Sequence, residues 1–330
     1  MVHVAPKVSV SVICFNQEAF IAQTLEAILA QQTDFDFEIV VSDDASQDST
    51  ETIARSYQQR FPALFRVHTN DVRRGMKENF LNNLSRCKGA FIAICDGDDL
   101  WSDPRKLQLQ HDFLEAKTGF SSVFHAVRHV SARGHFFQEL PKAHLRRPRL
   151  TADDLIREGA FMPTSSIMFR RPAGAIFPDW FRKLDHIVDL PLNLHNSIQG
   201  DIGFIDEVMG VYRTASSPHA SSSRPTHSVL EETIQMYEIM IQNFPSRLRG
   251  GLRTHQQKVI RHLLLTHASE GRSEEARQVW KQLRSFRRAY GFTGFDWFLL
   301  FSLGPMLLSE IGLVAAAGWS AKKLGGRYLP

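Results

Sequence analysis

The residues best able to do chemistry are acids that directly follow apolar runs. Asp96-Gly97-Asp98-Asp99 comes straight after Phe91-Ile92-Ala93-Ile94-Cys95, and Asp43-Asp44 closes the run Phe37-Glu38-Ile39-Val40-Val41-Ser42. Two carboxylates two residues apart in a turn can share a hard divalent cation, Mg²⁺ or Mn²⁺, which takes oxygen ligands and leaves positions for phosphate oxygens. Such a cation acts as a Lewis acid toward a group that gains negative charge as it departs. The competing duty for these acids is local turn and cap chemistry. Asp103-Pro104 has the order of a helix cap followed by proline at the first helical position, so Asp103 is assigned to capping and Asp96 and Asp98 to chemistry. Asp48, Ser49 and Thr50 are assigned to capping as well.

Alternating strands and helices must position these acids. Val8 to Cys14 alternates small polar and branched apolar residues and predicts a first strand; Ala19 to Gln31 spaces Ile21, Leu25, Ile28 and Leu29 as a helix does. Strands are expected at Phe37–Val41, Leu64–His68 and Ala90–Cys95, with helices at Thr50–Phe61 and Lys77–Arg86 between them. This alternation implies an α/β fold with a mostly parallel central sheet, because parallel neighbours need a crossover connection. Ligands in such sheets bind beyond the carboxyl ends of the strands, where both acidic clusters fall.

Further along, a helix is expected to about Ala116, a strand at Ser121–Val130, a basic loop through Arg149 and a strand at Ser165–Arg170. A helical stretch around Phe181–Ser197 precedes Ile202–Arg213, which reads as two short strands broken near Asp206. Residues 216–228, dominated by Ser, Pro and His, predict a linker or mobile loop. Three helical patterns follow at Val229–Phe244, Arg253–Glu270 and Glu274–Tyr290. The expected organisation is therefore a domain over 1–215, the linker, and a helical extension over 229–330.

Composition narrows the class. A chain of 330 residues exceeds one typical domain, and its net charge of +4 makes no case for nucleic acid. Cys14, Cys87 and Cys95 form no CxxC pair or disulfide framework, which predicts reduced thiols in a cytoplasmic compartment. The start of the chain lacks the pattern of a signal peptide, so secretion is not expected. No GxGxxG follows the first strand, which disfavours an NAD site.

Four segments in order, VSVSVICFNQEAFIAQTLEAIL, FEIVVSDDASQDST, Asn70 to Asn79 with Gly75, and GAFIAICDGDDLW, resemble the family 2 glycosyltransferases of the GT-A fold. The resemblance covers roughly residues 6–215 and is most specific over the first 110. It implies an inverting transferase that moves a sugar from a nucleoside diphosphate, of UDP or dTDP type, onto an acceptor hydroxyl. By position, Asp43 or Asp44 would hold the nucleobase edge, and Cys14 and Phe15 would line the base pocket. Asp96 would lie near the ribose and Asp98 would ligate the metal, with Asp99 as helper. Asn16 and Glu18 begin the first helix beside the donor, where Glu18 either contacts the nucleotide or complements the helix N-terminus. Lys77 and Arg74 either reach the diphosphate or remain solvated cations.

The catalytic base of relatives opens a helix in a Gly-Asp-aromatic-Pro-Leu pattern. Here Val188-Asp189-Leu190-Pro191-Leu192 matches it with valine for glycine and leucine for the aromatic, so Asp189 is the expected base and Asp185, beside His186, the fallback. Gly200-Asp201-Ile202-Gly203-Phe204-Ile205-Asp206-Glu207-Val208 and Tyr212-Arg213 continue the match. Relatives place a histidine two residues later; Ala215 stands there, and the nearest is His219, either a ligand or a solvated loop residue.

Phe295 to Trp319 is apolar, interrupted by Gly304-Pro305 and Glu310, and followed by Lys322, Lys323 and Arg327. It fits a segment lying in a membrane interface or one buried against protein better than a membrane span. The interfacial reading, with the basic region Arg247–Arg288, places the chain peripherally on the cytoplasmic face of the inner membrane. A lipid-linked glycan of bacterial surface polysaccharide is then the expected acceptor. Two other readings are a sugar-nucleotide pyrophosphorylase, which ICFNQEA disfavours because it lacks a glycine- and arginine-rich loop, and a nucleotide-sugar-binding or membrane scaffold module without transfer activity.

Overall fold

The computed structural model describes residues 5–131, 134–184, 189–214 and 226–290. The parallel half of the sheet comes from the first ninety-odd residues: β1 (Val8–Cys14), β2 (Phe37–Asp43), β3 (Phe65–Thr69) and β4 (Phe91–Asp96). Helices α1 (Ile21–Leu29), α2 (Thr50–Arg60) and α3 (Met76–Arg86) are the crossovers between them. β1 is central, paired in parallel with β2 and β4, and Val8, Val10 and Val12 are fully buried, as expected of a strand covered on both faces.

The helices dock through stripes the sequence spells out. α1 buries Ile21, Thr24, Leu25 and Ile28, one face of a helix at three- and four-residue spacing. α3 also buries two asparagines. Asn83 donates from Nδ2 to Ser11 Oγ at 2.9 Å and to the Val40 carbonyl at 2.8 Å. Asn79 donates to the Ser42 carbonyl at 2.9 Å and accepts from Ser42 Oγ at 2.7 Å. Buried amides must be paired, so these contacts fix the seating of α3 on β1 and β2 where apolar contact alone would let it slide.

The second half of the sheet is mixed. β5 (Leu100–Trp101) leads through α4 (Lys106–Ala116) to β6 (Phe120–Ser131), β7 (Phe136–Leu140) and β8 (Arg149–Leu150). Then come α5 (Ala152–Glu158), β9 (Met168–Arg170), α6 (Asp189–Ser197) and β10 (Asp201–Thr214). Among the described residues one sheet runs β3-β2-β1-β4-β9-β6-β10-β5, with β7 on β6 and β8 on β10. β9 is antiparallel to both β4 and β6, so β6 and its parallel partner β10 point the same way as β1, β2 and β4. Their carboxyl ends share one edge.

Four sequence expectations change here. The expected basic loop contains β7, which the hydrophobic pattern hid because Phe136 and Phe137 are both exposed. α5 was not anticipated; Thr151 and Asp154 form a capping box at its start. The stretch expected as a strand from Ser165 begins as a 3-10 turn, Thr164–Ser166, and β9 is only Met168–Arg170. The two short strands expected near Asp206 are the single strand β10, whose register against β6 slips between Ile205 and Val208, so Asp206 and Glu207 form a bulge rather than a break.

The chain divides into two compact units, Met1–His255 and Gln256–Pro330. The first includes α7 (His227–Asn243) and the start of α8 (Ser246–Ser269); the second contains the rest of α8 and α9 (Ser273–Tyr290). The division thus falls inside a helix, beyond the serine-rich stretch where the sequence suggests it. Most of that stretch, including His219, lies outside the described residues, as do Asp185, His186 and the apolar segment Phe295–Trp319. Among the described residues no helix is long and apolar enough to cross a membrane. Cys14, Cys87 and Cys95 are buried free thiols.

Lys106 is fully buried at the start of α4, its ammonium 3.8 Å from the Trp101 ring centroid and donating to Gln110 Oε1 at 2.7 Å. Burial pulls its pKa down to about 7. The folded chain therefore binds fewer protons than the unfolded chain between that value and the ordinary lysine range, and stability rises with pH across the window. Lys106→Met should remove this slope, at most about 1.4 kcal/mol per pH unit. Urea denaturation of both proteins between pH 7 and roughly pH 10, the ordinary lysine value, measures it.

Candidate active site

The site is assembled by loops at the carboxyl edge, and each is held by a buried acid. Strand register places Cys14 beside Asp43 and Ile13 beside Asp96, so the ends of β2, β1 and β4 lie side by side. Asp43 is fully buried. It accepts from the Ser46 N–H at 2.9 Å and from Ser46 Oγ at 2.5 Å, with the Cys14 thiol 3.6 Å away. Burial, then the charge of Asp43, raises the Cys14 pKa well above the thiol range, so this sulfur is a neutral packing group.

Asp44, also buried, accepts from Asn70 Nδ2 at 2.8 Å and from the backbone N–H groups of Arg74 at 2.8 Å and Gly75 at 2.9 Å. Gly75 has φ +86°, a conformation glycine adopts without strain, and it immediately precedes α3. The two acids expected at a nucleobase edge thus also hold their own loops, since a carboxylate at a dry strand end accepts from the N–H groups around it.

The neighbouring loops interlock in the same way. Asn16, at φ +50°, accepts from the Gln47 N–H at 2.8 Å, and its own N–H donates to Ser46 Oγ at 2.9 Å. Glu18 accepts from the Ser49 N–H at 2.9 Å at the entrance to α2, so it serves the second helix rather than the first. Between these loops and the segment after β3 lies a cavity of about 560 Å³, bordered by Phe15, Asn16, Gln47, Asp71 and Arg73. The Arg73 guanidinium sits 4.2 Å from the Phe15 ring centroid. Asp71 and Arg73 escaped the sequence reading; the only signal was their place between a strand and the glycine that opens α3.

Lys77, expected near a diphosphate, instead donates to the carbonyls of Leu184 at 2.6 Å and Arg182 at 3.2 Å. An ammonium seeks acceptors, and these carbonyls are within its reach; the contact anchors the segment that leads to α6.

The carboxylates of the second cluster do converge. Asp96 ends β4, and its pKa is pushed well above the carboxylate range by burial, then by the charges of Asp99, Asp98 and Asp189. Asp189 opens α6. Its side chain is reached by solvent, yet desolvation by the protein around it raises its pKa too, as befits a carboxylate on the wall of a cleft. Asp99 is buried and pushed up to about 7 by burial and then by Asp98.

Neutral and cationic partners hold this acidic loop in place. Thr24 Oγ1 donates to the Gly97 carbonyl at 3.0 Å and the Asp99 carbonyl at 2.7 Å. Arg213, at the end of β10, donates from its N–H to Asp99 Oδ1 at 3.2 Å, from Nη1 to the Asp98 carbonyl at 2.5 Å and from Nη2 to Gln23 Oε1 at 2.7 Å. The sequence marked the Tyr212-Arg213 pair but gave the arginine no duty.

Two buried oxygens here, Asp99 Oδ2 and Gln17 Oε1, lack hydrogen-bond partners. With the mutual repulsion of the carboxylates, they leave the loop rich in acceptors. That donor set suits a hard cation. No group of three or more His, Cys, Asp or Glu among the described residues forms a complete cage. One or two carboxylates with phosphate oxygens supplying the rest is the way Mg²⁺ is commonly held.

A parallel αβ half sheet joined to a mixed half, with acids at the shared carboxyl edge, defines the class of nucleotide-diphosphosugar transferase folds. Residues 9–177 match the model of glycosyl transferase family 2, and the chain belongs to that family. An uncharacterised protein of Mycobacterium tuberculosis is 34% identical over 212 residues, 62% of this chain and 58% of the relative's own length. A Campylobacter jejuni protein named GalNAc(5)-diNAcBac-PP-undecaprenol beta-1,3-glucosyltransferase is 31% identical over 121 residues, 36% of this chain and 37% of that one.

Among solved structures, Staphylococcus aureus TarS 1-349 in complex with UDP-GlcNAc has a TM-score of 0.57 at 19% identity, over 80% of this chain and 73% of that 1-349 chain. The Pyrobaculum calidifontis mannosyltransferase in complex with GDP-Man and Mn²⁺ has a TM-score of 0.51 at 18% identity, over 91% of this chain and 80% of that one. These likenesses establish the shared fold.

Gly97 is the residue on which the acidic loop turns. A Cβ built there would lie 2.4 Å from Gln17 Oε1, 2.9 Å from the Cys14 Cβ and 3.1 Å from the Ile13 carbonyl oxygen. Gly97→Ala should therefore destabilise the protein by about 1–3 kcal/mol through overpacking. A urea midpoint equal to that of the parent would show that the loop has more room than these distances allow.

Proposed function

We propose that this chain is a metal-dependent, inverting glycosyltransferase that moves a sugar from a nucleoside diphosphate to an acceptor hydroxyl. The observation that carries this reading is that Asp96, at the carboxyl end of β4, lies within electrostatic reach of its neighbours Asp98 and Asp99 and of Asp189, a carboxylate from a distant part of the chain. The base and ribose would occupy the cavity between Phe15 and Arg73, with Asp43 and Asp44 shaping its loops and Asn16 on its border. Asp96 would face the ribose. Asp98, with Asp99 as helper, would hold Mg²⁺ or Mn²⁺, which when bound neutralises charge on the departing diphosphate. The Mn²⁺ of the archaeal mannosyltransferase complex supports that choice of cation.

Asp189 acts as the base. Desolvation by the surrounding protein raises its proton affinity, which makes a carboxylate a stronger base. It takes the proton of the acceptor hydroxyl while the hydroxyl oxygen bonds to the anomeric carbon. The bond from that carbon to the diphosphate oxygen breaks on the opposite face, and its electron pair leaves with the nucleoside diphosphate. A single displacement of this kind inverts the anomeric centre. Lys77 and Glu18 act as positioning residues, through the segment before α6 and the start of α2 respectively.

A UDP or dTDP sugar is the proposed donor, in keeping with the UDP-GlcNAc bound by TarS. The proposed acceptor is a glycan on a lipid carrier, as the name of the Campylobacter relative suggests, which would bring the chain to the cytoplasmic face of the inner membrane.

Incubation with UDP-, dTDP- and GDP-sugars plus Mg²⁺ or Mn²⁺, scoring release of the nucleoside diphosphate, tests the proposal. Asp98→Ala and Asp189→Asn should each lower turnover by roughly 10²-fold or more, with UDP binding retained in Asp189→Asn. Turnover that persists in both variants would sink it, and binding of UDP without turnover in the parent would favour a non-catalytic module.

A further inference from the structure

A second cavity, of about 530 Å³, opens on the other side of the acidic loop. Its wall is one face of β6, β7 and β10: Arg128 and Val130, Phe136 and Glu139, Val211 and Arg213. The cavity belongs to the same edge as the carboxylates. β6 and β10 run parallel to each other and in the direction of β4, and Arg128 and Arg213 lie toward their carboxyl ends. Val211 pairs with Leu100, the residue after Asp99, and Arg213 bonds to both Asp98 and Asp99. The wall of this cavity and the acidic loop are therefore neighbours along the backbone ladder, while the cavity bordered by Phe15 and Arg73 lies on the far side, at the ends of β1 and β2 and after β3.

Two of its side chains stand ready for a ligand. Phe136 is 59% exposed and has no ring partner among the described residues. Its neighbour Phe137, by contrast, packs on the His129 ring at 5.1 Å, and His129 lies 5.3 Å from Tyr212. Arg128 is exposed and has no hydrogen bond or ion pair among the described residues, although its register partner is Glu139. Glu139 is engaged instead by Arg146 at 3.0 Å through one carboxylate oxygen, which leaves the other for a hydroxyl. An exposed aromatic face beside a free guanidinium and a half-used carboxylate is matched to a molecule with an apolar face and a rim of hydroxyls.

We propose that this cavity is the acceptor subsite, in which Phe136 stacks on the C–H face of a sugar ring while Arg128 and Glu139 hydrogen-bond its hydroxyls. The assignment rests on the transferase reading and specifies its acceptor as a glycan gripped by its ring. The ring face of a pyranose carries C–H groups of slight positive charge, which the negative face of an aromatic attracts. With the nucleoside on one side of Asp96 and Asp98 and the acceptor on the other, the reacting bond falls between the two cavities.

Saturation-transfer NMR without any donor separates this from the transferase reading itself. The probes are the methyl β-glycosides of glucose, galactose, N-acetylglucosamine and mannose, with UDP titrated in parallel. The full chain should transfer saturation to the ring protons of at least one glycoside. Phe136→Ala should weaken that transfer by about fivefold or more, as for loss of an aromatic anchor, and Phe136→Trp should retain it. Leu265→Ala, at an exposed apolar residue of α8, serves as the control and should match the parent.

No saturation with any glycoside, or equal saturation in Phe136→Ala and the parent, would overturn the subsite. A weakened UDP titration in Phe136→Ala would overturn it as well, by giving the cavity to the donor. Sugar-nucleotide turnover that depends on Asp98 would survive any of these outcomes, so the two readings fail separately.

Discussion

The crowding of carboxylates around Asp96, from Asp98 and Asp99 in its own loop and Asp189 at the start of α6, is the constraint on which the carboxyl edge of this sheet depends. Burial and then the charges of Asp99, Asp98 and Asp189 raise the pKa of Asp96, and a rigid surround keeps this acid where its neighbours crowd it. The fold supplies that surround with hydrogen bonds to the backbone of the acidic loop, from Thr24 below and Arg213 beside it. It adds a glycine where any side chain would strike Cys14 and Gln17. The loop is left with buried oxygens, Asp99 Oδ2 and Gln17 Oε1, that lack hydrogen-bond partners, and the proposed cation site rests on them and on the acids beside them.

Other acids at the same edge hold the loops around them. Asp43, Asp44, Asp48 and Glu18 each accept backbone N–H groups from loops at the ends of β1 and β2 or at the start of α2 and α3. Loops at the open edge of a parallel sheet expose N–H groups that no strand or helix can pair, and a carboxylate satisfies two or three at once. The loops so held border the cavity beside Phe15. Lys77 follows suit with carbonyls.

The two halves of the sheet divide the labour. The parallel half offers loops and a cavity with an aromatic and an arginine; the mixed half offers a flat strand surface with Phe136 and Arg128. β9, running against both neighbours, lies between β4 and β6, which therefore point the same way, with α4 connecting them along the chain. That one antiparallel insertion brings the end of β6 to the edge where β4 ends. β5 then ties the loop to β10.

Much of the parallel half was legible in the sequence because its strands are buried on both faces and its helices carry clean apolar stripes; Val8–Cys14 and Thr50–Arg60 could be read almost to the residue. The clusters after β2 and β4 were legible for the same reason, since a run of apolar residues ending in acids can only deliver them to a strand end. β7 was hidden by its exposure, and the bulge in β10 looked like a break because two acids interrupt its pattern. What the sequence by itself determined was the family, the fold and the sheet edge to which its acidic clusters are delivered. Only the tertiary structure decided how these acids are engaged: Asp44 accepts from the N–H of Gly75, 31 residues on, and Asp189 comes within electrostatic reach of Asp96, and neither outcome follows from spacing along the chain.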